Sequence, residues 1–462
     1  MASLSSPSLT FTVRRCKPEL VVPAMPTPKE IKLLSDIDDQ EGLRFIIPVI
    51  QIYPNEPSML GKDPVKIIRQ ALAQTLVFYY PFAGRLREGP DRKLMVDCTG
   101  EGVLFVEADA DITLDQFGGT PQPPFSPLLY DVPGSYGVID SPLVIIQVTR
   151  LKCGGFILAI CASHNMCDGI GMAQLINAMV EMARGAREPS IRPVWCRELL
   201  SARDTPRITC IHREYEEVSH SEEENIISKE DYDIVEQSFF FGPVEIAALR
   251  RFIPLHLQKC TKFEVITACL WCCLTKAWEL NPHEEVRMMC LVNARARLNP
   301  PLPVGYYGNV IAYPAAVTTV EKLNKNSFGF VVELIQKVKA EVTNEYMHSV
   351  ADLMVTKGRP LFTTARSFFV SNLTHFGFRE MDFGWGKPVY GGIAKGGAGN
   401  FPWVTYFNSY KNEKGQEGAL LPICLPNKVM MSRFVKELSN MLGNQHQPPM
   451  NGPYPRFVPS AL

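Results

Sequence analysis

The chain has 462 residues, of which 46% are apolar and 21% are charged, and its formal net charge is −1 at pH 7. This length exceeds what one ordinary hydrophobic core needs, so two domains are expected, with the composition of a globular protein. The near-neutral charge and the lack of a long apolar stretch argue against a nucleic-acid-binding or membrane-spanning protein.

The termini and the cysteines indicate the compartment. Residues 1–7 lack the basic start and apolar core of a secretory signal, which predicts a cytoplasmic protein. The 13 cysteines are predicted to be reduced core thiols, and the zinc-like spacing within 269–273 falls in a helical pattern with no second pair, so no metal site is expected. The last three residues, 460–462, resemble the peroxisomal Ser-Lys-Leu address without its basic residue, which makes the peroxisome the alternative.

The first part of the chain mixes strand and helix patterns. Asp63-Pro64 opens a predicted helix, whose apolar stripe runs over 67–76. Short strand-like runs follow at 94–96 and 103–106, and the apolar run 156–162 predicts a buried strand.

A histidine lies where this buried strand meets the next helix. The apolar face formed by 172–183 predicts an amphipathic helix that Gly185 ends, with Asp168 near its N-cap. His164 is a candidate general base, with a satisfied structural histidine as the alternative. Asp168 either orients His164, as in a triad, or caps the helix, and the helix that follows favours the cap. A Ser163 nucleophile is poorly indicated, because no Gly-x-Ser-x-Gly turn surrounds it.

After a polar, acidic stretch at 213–232, the second part of the chain again mixes strand and helix patterns. Strands are predicted at 238–241, 288–292, 368–370 and 420–424, and helices near 262–279, 328–347 and 427–442. The sequence therefore predicts an α/β (α+β) protein with domains 1–205 and 235–462, joined by the crossover 206–234. A segment near 385–410 is a candidate to pack with the first domain.

A second unusual cluster, Asp382-Phe383-Gly384-Trp385-Gly386, lies far downstream. Its two glycines predict a tight backbone path, and the Trp385 indole N–H is a candidate donor, although the stretch alone is typical of a structural turn. Acyl transfer to an alcohol needs a base, a donor for the oxyanion and a channel for the thioester carrier. His164 and the second cluster together indicate such chemistry.

His164-x-x-x-Asp168-Gly169 followed by Asp382-Phe383-Gly384-Trp385-Gly386 resembles the plant BAHD acyltransferases, which use acyl-CoA. The resemblance covers essentially the whole chain. Further segments similar to the family are 34–38, 80–86, 293–295 and 306–309. Segments 13–20, 98–102 and 349–354 resemble the alcohol acyltransferases of this family that form benzoate esters.

The resemblance implies two chloramphenicol-acetyltransferase-like domains with a solvent channel between them, acyl-CoA as a co-substrate without a bound cofactor, and a monomer. It implies that His164 deprotonates the alcohol for direct transfer in a ternary complex. It further implies that Asp168 pairs structurally with Arg295 and that Trp385 supports the oxyanion. The other structural positions that it implies are Gly169, Asp382, Gly384 and Gly386, and the implied CoA contacts are Ser371, Asn372 and Thr374.

Some residues depart from the family pattern. Ser163 and Asn165 replace the asparagine and threonine that commonly flank the histidine, and His375 stands where relatives often have arginine. The aromatic stretch 401–406, which by resemblance lines the acyl pocket, suits a benzoyl-type donor. The resemblance to the benzoate-forming members implies benzoyl transfer from benzoyl-CoA to benzyl alcohol. The alternatives are N-acylation of an amine and a non-catalytic acyl-CoA-binding protein on the same fold.

Overall fold

The computed structural model describes residues 10–118, 120–132, 137–218, 233–399 and 401–443, and the strand at 456–457. Residues 460–462, which carry the peroxisomal alternative, lie outside this part of the chain. The strands are β1 Thr10–Phe11, β2 Val13–Arg15, β3 Glu19–Val21, β4 Ile31–Leu33, β5 Ile46–Tyr53, β6 Arg85–Glu88, β7 Leu94–Asp97, β8 Val103–Ala110, β9 Val144–Leu151, β10 Phe156–Ser163, β11 Val235–Phe241, β12 Glu285–Cys290, β13 Val292–Asn293, β14 Ile311–Ala312, β15 Ala315–Thr319, β16 Ser367–Asn372, β17 Tyr390–Ile393, β18 Val404–Lys411, β19 Glu417–Leu425 and β20 Arg456–Phe457.

The helices pack on these strands. They are α1 Pro64–Phe78, α2 Gly169–Ala183, α3 Pro243–Arg250, α4 Lys262–Trp278, α5 Val320–Lys325, α6 Phe328–Glu341, α7 Asn344–Thr356 and α8 Lys428–Leu442. Within the described ranges, no helix combines the length and the apolar character needed to cross a bilayer. The mixture of sheets and flanking helices is the predicted α/β (α+β) class.

The first sheet has seven strands in the order β17-β5-β10-β9-β8-β2, with β3 also paired to β8. Strand β10 runs antiparallel to both β5 and β9, and every one of its residues is buried. This two-sided burial explains the unbroken apolar run that predicted the strand. Helices α1 and α2 share one core with this sheet, in which Ile68 and Ile176 are fully buried. The pairing on both sides and the packing of α1 and α2 therefore hold the C-terminal end of β10, at Ser163, in place within the first sheet.

The second sheet has six strands in the order β11-β19-β18-β16-β12-β15. Helices α4, α6 and α8 pack in its main core, where Trp271, Ile335 and Phe434 are fully buried. Parallel pairing of β16 with both β12 and β18 places the C-terminal ends of these three strands at one edge. Ser371 and Asn372 come at that edge, since they end β16.

Strand β17 belongs to the second part of the chain but completes the first sheet, pairing antiparallel with β5. Asn408 of β18 accepts the Ile393 N–H of β17 at 2.9 Å, which ties the two sheets together. A Cβ on Gly392 would lie 2.4 Å from Asn408 Oδ1, so the close approach requires glycine. The domain limits 1–205 and 235–462 stay a prediction, and residues 219–232 of the expected crossover lie outside the described residues.

One helix prediction is wrong. The expected helix near 328–347 is two helices, α6 and α7, which Val342 and Thr343 separate. The Thr343 backbone is extended, and its hydroxyl accepts the Tyr346 N–H as an N-cap. An apolar stripe that continues through a short break hides the break from a periodicity argument, although the capping threonine is visible in the sequence.

Candidate active site

A cavity of about 610 Å³ lies between the two sheets and is lined by residues from both parts of the chain. His164, Asp168 and Gly169 enter it from the first sheet and α2. Arg295 and the end of β16 enter it from the other side. The two halves of the chain, each supplying one wall, therefore build one internal site.

His164 is the first residue beyond β10, and both of its backbone polar groups are held. Its N–H donates to the Phe45 carbonyl at 2.9 Å, and its carbonyl accepts from Asn309 Nδ2 at 2.8 Å. The Phe45 ring packs beside the imidazole, with ring centroids 5.1 Å apart. These contacts fix the direction in which the imidazole enters the cavity.

The environment of His164 favours the neutral imidazole. The side chain is buried, and this burial lowers the pKa of His164 below its ordinary value. Nδ1 is a buried atom that has no hydrogen-bond partner among the described residues, while the ring lines the cavity. Nε2 is therefore the nitrogen placed to accept a proton from a substrate in the cavity.

Asp168 does not orient the histidine. Its carboxylate accepts five hydrogen bonds, which come from the N–H groups of Ile170, Gly171 and Val310 and from two nitrogens of Arg295. Burial acts to raise the pKa of Asp168, but the Arg295 guanidinium and the backbone donors outweigh it and hold the pKa below its ordinary value. The geometry is that of a helix N-cap with a bidentate ion pair, 2.6 Å at its shorter contact, rather than of a triad.

A buried network that the sequence analysis did not single out clamps the loop around His164. Arg197 Nη1 contacts both carboxylate oxygens of Asp38 at 3.1 and 3.0 Å, and Arg197 Nη2 donates to the Met166 carbonyl at 2.8 Å. Asn309 donates to Asp38 from its backbone N–H and its Nδ2, and the same Nδ2 reaches the His164 carbonyl. Each residue thus bonds either the loop or another member of the clamp.

The remaining contacts of this clamp explain two sequence features. Asn165 donates from Nδ2 to the Asp38 carbonyl at 2.7 Å, which gives this departure from the family pattern a structural partner. A Cβ on Gly308 would lie 1.4 Å from Arg197 Nη1, so only glycine leaves room for the guanidinium. Asp38 and Asn309 lie within the family-like segments 34–38 and 306–309. No pattern in the sequence indicates Arg197.

The segment 382–386 forms a turn at the far end of α2. Asp382 Oδ1 accepts the Gly384 N–H at 2.7 Å, and Oδ2 pairs with Arg184 at 3.0 Å. Gly384 and Gly386 have φ values of 112° and 77°, the left-handed region that favours glycine. These contacts shape the turn and tie it to α2, and its structural role stays a prediction.

Trp385 does not lie where an oxyanion donor is needed. Its ring is buried in the core of the first sheet and packs edge-to-face on Phe156, with centroids 5.2 Å apart. It does not line the cavity that contains His164. The expectation that Trp385 supports the oxyanion is corrected: the indole packs in the core of the first sheet, against Phe156 of β10.

The expected CoA contacts lie at the end of β16. Ser371 and Asn372 line the cavity, and so does His375, which is exposed. Thr374 does not line it; its hydroxyl and its N–H both donate to Asn372 Oδ1, at 2.7 and 3.1 Å. Thr374 is therefore placed to orient Asn372, and the CoA-binding role of these residues stays a prediction.

Aromatic side chains form the cavity wall on the side of the second sheet. We call Tyr313, Phe362, Phe369, Phe401 and Tyr406 the aromatic box; all five line the cavity and belong to one buried cluster. Ring centroids are 4.4 Å apart for Tyr313 and Phe362, and 5.3 Å apart for Phe369 and Phe401. Trp403, which lies in the aromatic stretch 401–406, packs instead against Trp278. The box presents aromatic rings to the cavity, and rings of this kind pack favourably against another aromatic ring.

Among the described residues, no group of three or more His, Cys, Asp and Glu side chains is arranged to hold a metal ion. The cavity wall combines the His164 imidazole and the Arg295–Asp168 ion pair with apolar rings and hydroxyl groups.

Comparisons with known proteins agree with this geometry. A model described as the Transferase family matches residues 11–441. The chain is 61% identical over 446 residues to benzyl alcohol O-benzoyltransferase of Nicotiana tabacum, covering 96% of each chain. It is 60% identical over 451 residues to benzyl alcohol O-benzoyltransferase of Petunia hybrida, covering 97% of each. The solved structure of vinorine synthase has the same fold, with a TM-score of 0.71 at 22% identity, over 93% of this chain and 98% of that one.

Proposed function

Because this chain belongs to the Transferase family, that of the BAHD acyltransferases, we propose that it transfers a benzoyl group from benzoyl-CoA to benzyl alcohol. The enzyme is an acyl-CoA-dependent alcohol O-acyltransferase. The observation that carries the finer proposal is that His164 and the aromatic box line the same cavity. The two relatives at about 60% identity, both named for benzoyl transfer to benzyl alcohol, support it.

His164 is the general base of the proposed mechanism. Nε2 takes the hydroxyl proton as the alcohol oxygen attacks the thioester carbonyl, and a tetrahedral intermediate forms. Collapse of this intermediate breaks the carbon–sulfur bond, the ester leaves, and the imidazolium returns the proton to the CoA thiolate. The role of Arg295 and Asp168 is to hold the loop and α2 in place.

Transfer is direct, without an acyl-enzyme. Cys167 is the one cysteine in the cavity wall that the structure describes, and burial raises its pKa well above the ordinary value, so it stays a thiol. Ser163 is buried, and its Oγ contacts no hydrogen-bond partner among the described residues, including His164. Neither side chain meets the requirements of an activated nucleophile.

The test is release of free CoA from benzoyl-CoA and acetyl-CoA, each offered benzyl alcohol, methanol, hexenol or benzylamine. We expect alcohol-dependent release that is fastest with benzoyl-CoA and benzyl alcohol. His164→Ala should lower kcat by about a hundred- to ten-thousand-fold, the usual contribution of a general base. Near-normal turnover by a folded His164→Ala protein would refute the mechanism. Faster release with benzylamine would favour N-acylation, and CoA-ester binding without any release would favour a binding protein.

The assembly and the compartment are further parts of the proposal. We propose a monomer, as the family resemblance implies, and light scattering across a range of protein concentrations tests it. We also propose a cytoplasmic location, with the peroxisome as the alternative. A fluorescent fusion at the N-terminus, with and without residues 460–462, distinguishes the two.

A further inference from the structure

Two tyrosines of the aromatic box are buried and yet form no side-chain hydrogen bond with any other residue that the structure describes. Tyr313 is 5% exposed and Tyr406 is 3% exposed. Each of the two hydroxyl oxygens keeps some accessible surface. Both side chains line the cavity. The small surface that each phenol keeps is therefore turned toward the space that the substrate enters.

Three other buried tyrosines have internal partners, whereas the Tyr306 hydroxyl is buried away from the cavity without one in the described part of the chain. The hydroxyls of Tyr53, Tyr390 and Tyr410 donate to the carbonyls of Met381, Ile393 and Thr120, at 2.9, 2.7 and 2.7 Å. Buried polar groups in folded proteins are nearly always hydrogen-bonded, so a phenol without an internal partner at a ligand cavity indicates a partner on the ligand. Tyr313 and Tyr406 meet this description.

The walls around these phenols are apolar. Phe362, Phe369 and Phe401 complete the box, and Phe362 lies 5.8 Å from Phe401 between ring centroids. Burial raises the pKa of both Tyr313 and Tyr406, which keeps them as O–H donors at any physiological pH. An unsubstituted phenyl ring fits among these rings but leaves both phenol donors without a partner, so a ring that accepts a hydrogen bond should be preferred over it.

We propose that the aromatic box binds the acyl ring and selects aromatic acyl-CoA donors whose ring carries an oxygen substituent, to which Tyr313 and Tyr406 donate hydrogen bonds. This inference rests on the proposed acyl transfer and names its donor class. Benzoyl-CoA then fits the box, and a hydroxybenzoyl-CoA or methoxybenzoyl-CoA fits it better.

The test measures kcat/KM for benzoyl-CoA, the three monohydroxybenzoyl-CoA isomers and 4-methoxybenzoyl-CoA, all with benzyl alcohol. We expect the intact enzyme to prefer at least one oxygen-substituted donor over benzoyl-CoA by about tenfold or more. Tyr313→Phe and Tyr406→Phe should each reduce that ratio about tenfold, and the double variant should abolish it. Calorimetric Kd values for the same donors, measured without alcohol, should show the same order.

Tyr410→Phe is the matched control, because Tyr410 shares β18 with Tyr406 but bonds Thr120 and does not line the cavity. It should keep the donor preference of the intact enzyme. If Tyr313→Phe and Tyr406→Phe lowered kcat equally for every donor, the inference would be overturned, since the phenols would then act on the thioester carbonyl. The inference would also be overturned if an oxygen substituent raised kcat/KM only when it was on the acceptor, as in hydroxybenzyl alcohol, and not on the acyl donor. CoA release from no donor, with the Kd order intact, would refute the proposed reaction and leave the binding inference standing.

Discussion

At His164, burial and backbone contacts together set the chemistry. The imidazole is kept neutral because the protein around it solvates a charge poorly, and its backbone is held by Phe45 and Asn309. A lower pKa makes the residue a weaker base but keeps it in the reactive form over a wider range of pH. The same residue is thus positioned by its backbone contacts and kept neutral by the packing around it.

The pH dependence of the reaction follows from this burial. Only neutral His164 can accept the proton, so kcat/KM should fall as the pH drops through the lowered pKa and should be level above it. We expect the acid limb of the profile to be centred below about 6.5, the ordinary value for histidine. Circular dichroism over the same range separates this limb from unfolding. An acid limb centred above 6.5 would contradict the assignment.

The sequence predicts His164 and Asp168 as site residues because both lie in a local pattern, a buried strand followed by an amphipathic helix. It misplaced Trp385, since the direction of that indole depends on the packing of Phe156, a residue more than two hundred positions away. It left out Arg197, whose partners Asp38 and Met166 come from distant segments. Local patterns indicate which residues carry chemistry, and tertiary contacts decide where they point.

Helix α2 links the sequence motif at 164–169 to the motif at 382–386. Its first turn is capped by Asp168, and Arg184 at its other end pairs with Asp382. The helix thus sets the distance between the histidine loop and the turn at 382–386. At the N-terminal end of α2, the free backbone N–H groups of Ile170 and Gly171 find their acceptor in the motif residue Asp168.

Replacing Asp168 tests this arrangement. Asp168→Ala removes the N-cap and leaves the Arg295 guanidinium, mostly buried, without its carboxylate. We expect the free energy of unfolding to fall by about 3–5 kcal/mol, the range for breaking a buried ion pair. Urea denaturation followed by fluorescence measures it.

Asp63→Ala is the matched control, because Asp63 caps α1 and pairs with Arg150 away from the cavity. It should cost about 1–2 kcal/mol, the usual value of a helix cap, with kcat unchanged. A stable but inactive Asp168→Ala protein would instead indicate that Asp168 orients the base.

The elements differ in how far the sequence predicts them. Strand β10 and helices α1, α2 and α4 follow from periodicity and caps that lie within each segment. Strand β5 is missing from the prediction although its eight-residue run is largely apolar. Strand β17 is missing because it is a four-residue strand with two glycines, and its existence depends on pairing with β5. Nonlocal pairing of this kind leaves little local signal.

The cavity exists because two sheets meet, and the segment through β17 is one place where the chain crosses between them. The chain leaves the first sheet at Ile393 and reaches the cavity wall within a few residues, at Ala398 and Phe401. Weakening the contacts that hold β17 should therefore lower the free energy of unfolding of the protein and change the shape of the aromatic box. Two sheets joined in this way are expected to unfold together.

Asn408 is the residue through which this coupling can be tested. It is 1% exposed, and its Oδ1 accepts the Ile393 N–H across the junction. Asn408→Ala leaves that N–H buried and unpaired, so we expect a loss of about 1–3 kcal/mol in the free energy of unfolding. Calorimetry should show a single transition for the intact enzyme and a single, lower one for the variant.

Asn412→Ala provides the comparison, since Asn412 bonds Lys414 and Gln416 within an exposed hairpin turn beyond the end of β18. Its melting temperature should fall less than that of Asn408→Ala, and its KM for benzoyl-CoA should be normal. Asn408→Ala should raise that KM, because the segment that Asn408 anchors continues into the cavity wall. Two separate transitions in the intact enzyme, or an Asn408→Ala protein with unchanged stability and KM, would show that the sheets are independent and that β17 does not couple them.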